Sequence, residues 1–139
     1  MDLAPPSLRL EITESAIIEN STAAAESLVR LRALGVKVDL DDFGTGYSSL
    51  SYLHKFEMDA LKIDRSFVAN IGTYGENAEI VRTIINLAKD LGMEVVAEGV
   101  ERPEQVAILR TLGCVLVQGY LFSPPLTTEA VRSLFKSRG

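Results

Sequence analysis

The chain has 139 residues, 47% of them hydrophobic and 24% charged, which suits one globular domain with a sizeable core and excludes a disordered chain. Its formal net charge of -5 argues against a general nucleic-acid surface, and no apolar run reaches the roughly 18 residues of a membrane span. The opening Met1-Asp2-Leu3-Ala4-Pro5-Pro6 is not a signal peptide and the lone Cys114 cannot form a disulfide framework, so a cytoplasmic setting is the default expectation.

Residues 1–7 read as a leader closed by Pro5-Pro6. Leu8 to Glu14 then alternates apolar and polar residues and predicts a first strand. Ser21 or Thr22 is the expected cap of a helix with Ala24, Leu28, Leu31 and Leu34 on its apolar stripe. Gly35 stops it, and Val36 to Asp41 is a second strand that runs into Asp41-Asp42-Phe43-Gly44-Thr45-Gly46-Tyr47. After a short helix at Ser48 to His54, Ala60-Leu61-Lys62-Ile63-Asp64 is a third strand. A single helical turn is expected at Ser66 to Ile71, followed by a loop at Gly72-Thr73-Tyr74-Gly75.

Glu76 to Leu91 is the clearest helix, with Ile80, Ile84, Leu87, Ala88 and Leu91 on one face. Glu94 to Gly99 is the fourth strand, Pro103 opens the next helix, and Val115 to Tyr120 is the fifth strand before a last helix at Thr128 to Lys136. Cys114 leads into an apolar strand and reads as a buried, inert thiol. The junctions Leu34-Gly35-Val36, Leu91-Gly92-Met93 and Leu112-Gly113-Cys114 repeat one punctuation, a helix stopped by glycine with a strand at once behind it. That alternation means βαβ units and a parallel sheet, in which function gathers at the carboxyl ends of the strands.

Those ends share one theme. They carry Glu11 and Glu14, Asp41 and Asp42, Lys62 and Asp64, Glu98 with Glu101 just beyond, and Gln118. Strand parity places Glu11, Asp39, Asp41, Lys62 and Glu98 on one face of the sheet and the apolar residues on the other. Two like charges about 4 Å apart repel by roughly 4 kcal/mol at an effective dielectric near 20, so such a gathering needs protonation, a lysine or bound divalent cations to offset it. All-oxygen ligands favour Mg²⁺, Mn²⁺ or Ca²⁺ over zinc. The blander reading of Asp41-Asp42 with its glycines is a solvated turn, and that of Lys62 a structural counter-ion. His54 reads as structural or exposed, Arg30, Arg32, Lys89 and Asp90 as solvated helix faces, and Asp64-Arg65 as a cap, an ion pair or a substrate contact.

Five segments, Glu11-Ile12-Thr13-Glu14-Ser15, Asp41 to Leu50, Leu61-Lys62-Ile63-Asp64, Ala97-Glu98-Gly99-Val100-Glu101 and Gln118-Gly119-Tyr120, resemble in order and spacing the motifs of EAL domains. The likeness runs from about Leu8 to Leu126. It implies an α/β fold, part of a TIM-like (β/α) barrel with about five parallel strands. It also implies hydrolysis of cyclic di-GMP to linear pGpG with Mg²⁺ or Mn²⁺. By resemblance Glu11, Asp41, Asp42 and Glu98 are metal ligands, and Lys62 with Glu98 is catalytic, Lys62 holding the attacking water or a phosphate oxygen. Glu14 braces the loop Phe43 to Ser49, Glu101 assists Glu98, and Gln118 stands at the edge of the site.

The Glu-Ala-Leu signature itself and the strand carrying the family's metal-binding asparagine do not occur, and Asp59-Ala60-Leu61 is no substitute because it belongs to the Lys62 strand. Residues 8–139 are therefore expected to be the C-terminal portion of a barrel begun upstream, negligibly active alone, a position compatible with sensory or cyclase domains before it. Open sheet edges suggest a homo-oligomer. Asp39 stands where a small or apolar residue is expected, so an extra inward charge is expected to perturb the site. The rival readings are a non-catalytic cyclic di-GMP sensor or protein-interaction module on the same fold and, more remotely, another Mg²⁺-dependent barrel enzyme.

Overall fold

The computed structural model describes residues 3–46, 50–72 and 76–137. A single 3-10 turn at Pro5–Ser7 precedes β1 (Arg9–Thr13), α1 (Glu14–Glu19), α2 (Ser21–Ala33), β2 (Lys37–Phe43) and α3 (Leu50–Lys55). Then come β3 (Ala60–Ile63), α4 (Arg65–Ala69), α5 (Glu76–Asp90), β4 (Glu94–Ala97), α6 (Pro103–Leu112), β5 (Leu116–Val117) and α7 (Thr128–Ser137). The five strands form one sheet in the order β1-β2-β3-β4-β5, and every neighbouring pair is parallel. Spatial order follows chain order without reversal, which is the winding of a (β/α) barrel rather than of a doubly wound sheet.

The two faces of the sheet differ as parity requires. Val38, Leu40, Leu61, Ile63 and Ala97 face the helices and are buried with Ile17, Leu28, Val81, Ile85, Ala88 and Leu109. Each such aliphatic side chain contributes about 1.5–3 kcal/mol, so this outer layer holds the fold together. The register Glu11↔Asp39 and Asp39↔Ala60, with Lys62↔Val96, puts the charged residues of neighbouring strands on the opposite, inner face. The repeated glycine stops are real: Gly113, for example, takes φ 97° and caps α6 by donating its N–H to the Arg110 carbonyl at 3.0 Å.

Several boundaries differ from the expected ones. The first strand ends at Thr13, whose hydroxyl accepts the Ala16 N–H at 3.2 Å and starts the unforeseen helix α1. The cap of α2 is Asn20, which accepts from the Ala23 N–H at 3.1 Å, and not Ser21 or Thr22. β4 stops at Ala97 and β5 shrinks to Leu116–Val117, because the chain turns at Gly99 and Gly119 where the strand patterns still ran on. The start of the helix expected at Ser48 to His54 and most of the loop expected at Gly72 to Gly75 lie outside the described residues.

Candidate metal centre

Simple alternation sends Asp41 and Asp42 to opposite faces of β2; the backbone prevents this. The pairing of β2 with β3 shifts register between Leu40 and Phe43, and Asp42 takes φ 55°, the positive-φ non-glycine among the described residues. Aspartate tolerates the left-handed region better than most residues, at a cost of order 1 kcal/mol. The Asp42 N–H donates to Asp41 Oδ1 at 2.8 Å, which fixes the two carboxylates relative to each other. Glu98 follows the last residue of β4 and is aligned by its N–H to the Ile63 carbonyl at 3.1 Å. Asp41, Asp42 and Glu98 thereby bring one carboxylate oxygen each to within 4.8 Å of one another, all half-buried.

Lys62 lies beneath this cluster with a side chain only 5% exposed, ion-paired to Glu98 at 2.6 Å and to Glu11. Burial alone lowers the Lys62 pKa, but its hydrogen bonds to Glu11 and Glu98 more than offset this and leave it above the usual lysine value. Glu98 is pushed up, chiefly by burial and against the pull of Lys62. Asp42 is also pushed up, by burial first and then by Asp41 and Asp64. Asp64 moves down: burial opposes the shift, but Ser66 donates to its carboxylate, its N–H at 2.8 Å, and the interaction with Asp42 and the charge of Arg65 lower it further.

Five carboxylates, of Glu11, Asp41, Asp42, Asp64 and Glu98, are thus linked through their contacts, with Lys62 paired to Glu11 and Glu98 and the Arg65 charge acting on Asp64. The donor set is entirely hard oxygen and carries excess negative charge, which fits Mg²⁺ or Mn²⁺ and does not suit a soft or nitrogen-preferring ion. Glu11 does not join the cluster of three directly; it meets it through Lys62 and is 47% exposed.

The remaining expected site residues stand further out. Glu14 is the first residue of α1, 1% exposed, and its Oε2 accepts the Gly44 N–H at 3.0 Å. Its Oε1 has no hydrogen-bond partner among the described residues. Glu101 and Gln118 line a cavity of about 1050 Å³ beside the carboxylates without entering the cluster.

Two residues had been passed over or left open. Gln105 is 2% exposed; its Oε1 accepts from the Glu101 and Arg102 N–H groups at 2.8 and 3.0 Å, and its amide donates to the Val68 carbonyl at 3.0 Å. The signal was there, a glutamine three residues past the residue before Pro103, the spacing of a capping box. Asp64 was left among three roles; it caps α4 and also hydrogen-bonds Asp42.

Asp39 overturns an expectation. It is not a free inward charge: Arg9 holds it with Nε to Oδ2 at 2.8 Å and Nη2 to Oδ1 at 2.7 Å, and also reaches Glu94 at 3.3 Å. Strand parity puts Arg9 on the same face, so the charge is answered from within its own layer.

The family profile of the EAL domain matches residues 1–125. A cyclic di-GMP phosphodiesterase, NbdA, of Pseudomonas aeruginosa is 50% identical over 135 residues, which is 97% of this chain and 17% of that protein. The structure of the PaMucR phosphodiesterase in complex with c-di-GMP superposes with a TM-score of 0.88 at 42% identity, covering 93% of this chain and 52% of the other. A manganese and cyclic di-GMP complex of Klebsiella pneumoniae BlrP1 superposes with a TM-score of 0.83 at 41% identity, over 88% of this chain and 31% of that one.

Proposed function

The chain belongs to the EAL domain family, and from that footing we propose that it forms part of a metal-dependent phosphodiesterase domain that hydrolyses cyclic di-GMP to linear pGpG. The observation that carries the reading is the convergence of Asp41, Asp42 and Glu98 at the strand ends beside Lys62. These three carboxylates, with Glu11 as a further ligand, would hold Mg²⁺ or Mn²⁺. Bound there, a pair of such ions would stabilise the attacking and leaving oxygens of the phosphodiester.

The residues of the chain divide the remaining work. Lys62, fixed by two carboxylates and buried, is suited to hold the attacking water or a phosphate oxygen at one position. Water adds to phosphorus, the P–O3′ bond breaks, and the departing 3′ oxygen takes a proton, so one ring phosphodiester becomes a 5′-phosphate and a 3′-hydroxyl. Glu98 touches both Lys62 and the carboxylate pair, so it orients the lysine as well as serving as ligand. Glu14 braces the glycine loop through Gly44, while Glu101 and Gln118 shape the edge of the cavity.

The family's Glu-Ala-Leu and asparagine ligands do not occur in these 139 residues. We therefore expect Mn²⁺ binding but no pGpG above background from this chain alone. Robust turnover by the purified chain would overturn the ligand assignment, and failure to bind Mn²⁺ would overturn the metal centre. The same absent ligands favour a second reading, a cyclic di-GMP sensor, which an assay of the chain within its complete barrel separates because a sensor binds the nucleotide without cleaving it. A cytoplasmic location and upstream sensory or cyclase domains belong to the proposal. So does a homo-oligomer, for which the exposed Val115, Leu116, Leu134 and Phe135 provide apolar contact surface. A monomer by light scattering would remove that last element.

A further inference from the structure

The cavity beside the carboxylates has a second, basic wall. Arg65 opens α4, and Arg102 stands between β4 and α6; both line the same cavity as Asp42 and Glu98. Their placement is built. Gly99 takes φ 72°, and a Cβ there would collide with the Cβ of Arg65, so the turn after β4 presses directly on the arginine. Arg102 is held by its backbone, whose N–H donates to the buried Gln105 at 3.0 Å, and by its Nη2, which donates to the Ala69 carbonyl at 3.3 Å. Arg65 thus begins the short helix at whose other end Arg102 is anchored.

Neither arginine is tied up in an ion pair: Arg65 feels only the charge of its neighbour Asp64. Arg9, Arg32 and Arg82 are each salt-bridged to carboxylates, and Lys62 is committed to Glu11 and Glu98. Among the described residues neither Arg65 nor Arg102 has a carboxylate within salt-bridge distance. Arginine presents a planar fork matched to phosphate oxygens and stays charged at all accessible pH, so an unanswered pair on the wall of an otherwise acidic cavity is suited to a phosphate.

Resting on the functional reading above, we propose that Arg65 and Arg102 bind the second phosphodiester of the cyclic dinucleotide, the one that is not cleaved. The carboxylate centre serves only one phosphate, and a cyclic dinucleotide carries two. The other loses water on entering the cavity and needs a cation that the metal centre does not supply. The pair would thus make the site selective for a doubly charged ring over a substrate with a single phosphodiester.

The test is equilibrium binding to the Mn²⁺-loaded chain of two probes, cyclic di-GMP and linear GpG, which has one phosphodiester and no terminal phosphate. Arg65→Gln and Arg102→Gln should each weaken cyclic di-GMP about tenfold, the value of one charge-assisted contact, and the double variant further. GpG affinity and Mn²⁺ affinity should stay unchanged, which separates lost phosphate recognition from a disturbed fold. Arg102→Lys, which keeps the charge and loses the fork, should fall between. Variants that bind cyclic di-GMP as tightly as the unsubstituted chain, or that lose both nucleotides equally, overturn the inference and leave the metal-centre reading standing. An unsubstituted chain that binds neither nucleotide overturns the functional reading, and the inference falls with it.

Discussion

The inner face of the sheet carries two layers of charge, and they are settled differently. At the amino end of the strands, Arg9 answers Asp39 with two hydrogen bonds and reaches Glu94 with a third contact. At the carboxyl end, Lys62 answers Glu11 and Glu98 and leaves Asp41 and Asp42 with no cation of their own among the described residues. The lower layer is closed by the protein's own residues, whereas the upper layer is left in deficit. In a sheet whose ligands gather at the carboxyl ends of strands, a deficit there is what a cation site requires, and charge that is already paired elsewhere is architecture.

The comparison breaks most visibly at Lys62. Removing it in the metal-free chain leaves Glu11 and Glu98 without the cation they share, and Lys62→Met should cost about 2–4 kcal/mol in urea unfolding, less than a fully buried pair because Glu11 is 47% exposed. Added Mn²⁺ should return much of that loss. A cost that Mn²⁺ does not reduce would mean that the lysine and the cation do not share one electrostatic site.

Next in size is the loss of a ligand. Asp41→Asn or Asp42→Asn should weaken Mn²⁺ by at least about 100-fold by calorimetry, the upper end of what losing even an outer-shell partner costs. Arg9→Met, in the lower layer, should leave Mn²⁺ affinity unchanged. Equal losses from both layers would erase the distinction between them.

The lower layer should instead report in stability. Arg9→Met strands Asp39, whose side chain is 8% exposed, and should cost roughly 1–3 kcal/mol, less than a fully buried pair because Arg9 itself is 36% exposed. Adding Asp39→Leu should recover most of it, since an apolar pair needs no partner charge. A double variant as unstable as the single one would contradict this account.

The smallest effect is in pH. Asp42 and Glu98 are raised chiefly by burial, so in the folded chain they bind protons at a pH where ordinary carboxylates have released them. Their ionisation therefore opposes folding as pH rises through the window from the usual carboxylate range to their raised values. Metal ligation needs the ionised form, so Mn²⁺ affinity should fall as pH drops through that same window. Lys62, raised above the usual lysine value, contributes stability that is complete below that value and is lost only at more alkaline pH. Calorimetric Mn²⁺ titrations at stepped pH check the sign, and affinity that grows on acidification would contradict it.

The sequence exposed the upper layer because strand parity alone collects Glu11, Asp41, Lys62 and Glu98 on one face. The alternation of helices and strands with glycine stops likewise determined the parallel sheet before any coordinates. Parity could not reveal Asp42, whose inward turn depends on a register shift and a left-handed backbone. It placed Asp39 on the right face but missed its partner, since pairing Arg9 with Asp39 depends on which strands are neighbours and on their register. Glu14 read as strand because alternation does not show that the Thr13 hydroxyl ends the strand by capping a helix. Gln105 carried the spacing of a capping box, but only the fold shows its amide holding a loop against α4.

The most direct test of the central claim is anomalous scattering from crystals of the chain soaked in Mn²⁺. A manganese peak among the carboxylate oxygens of Asp41, Asp42 and Glu98 is the expected result. No peak there, or a peak confined to the layer of Arg9, Asp39 and Glu94, would contradict it.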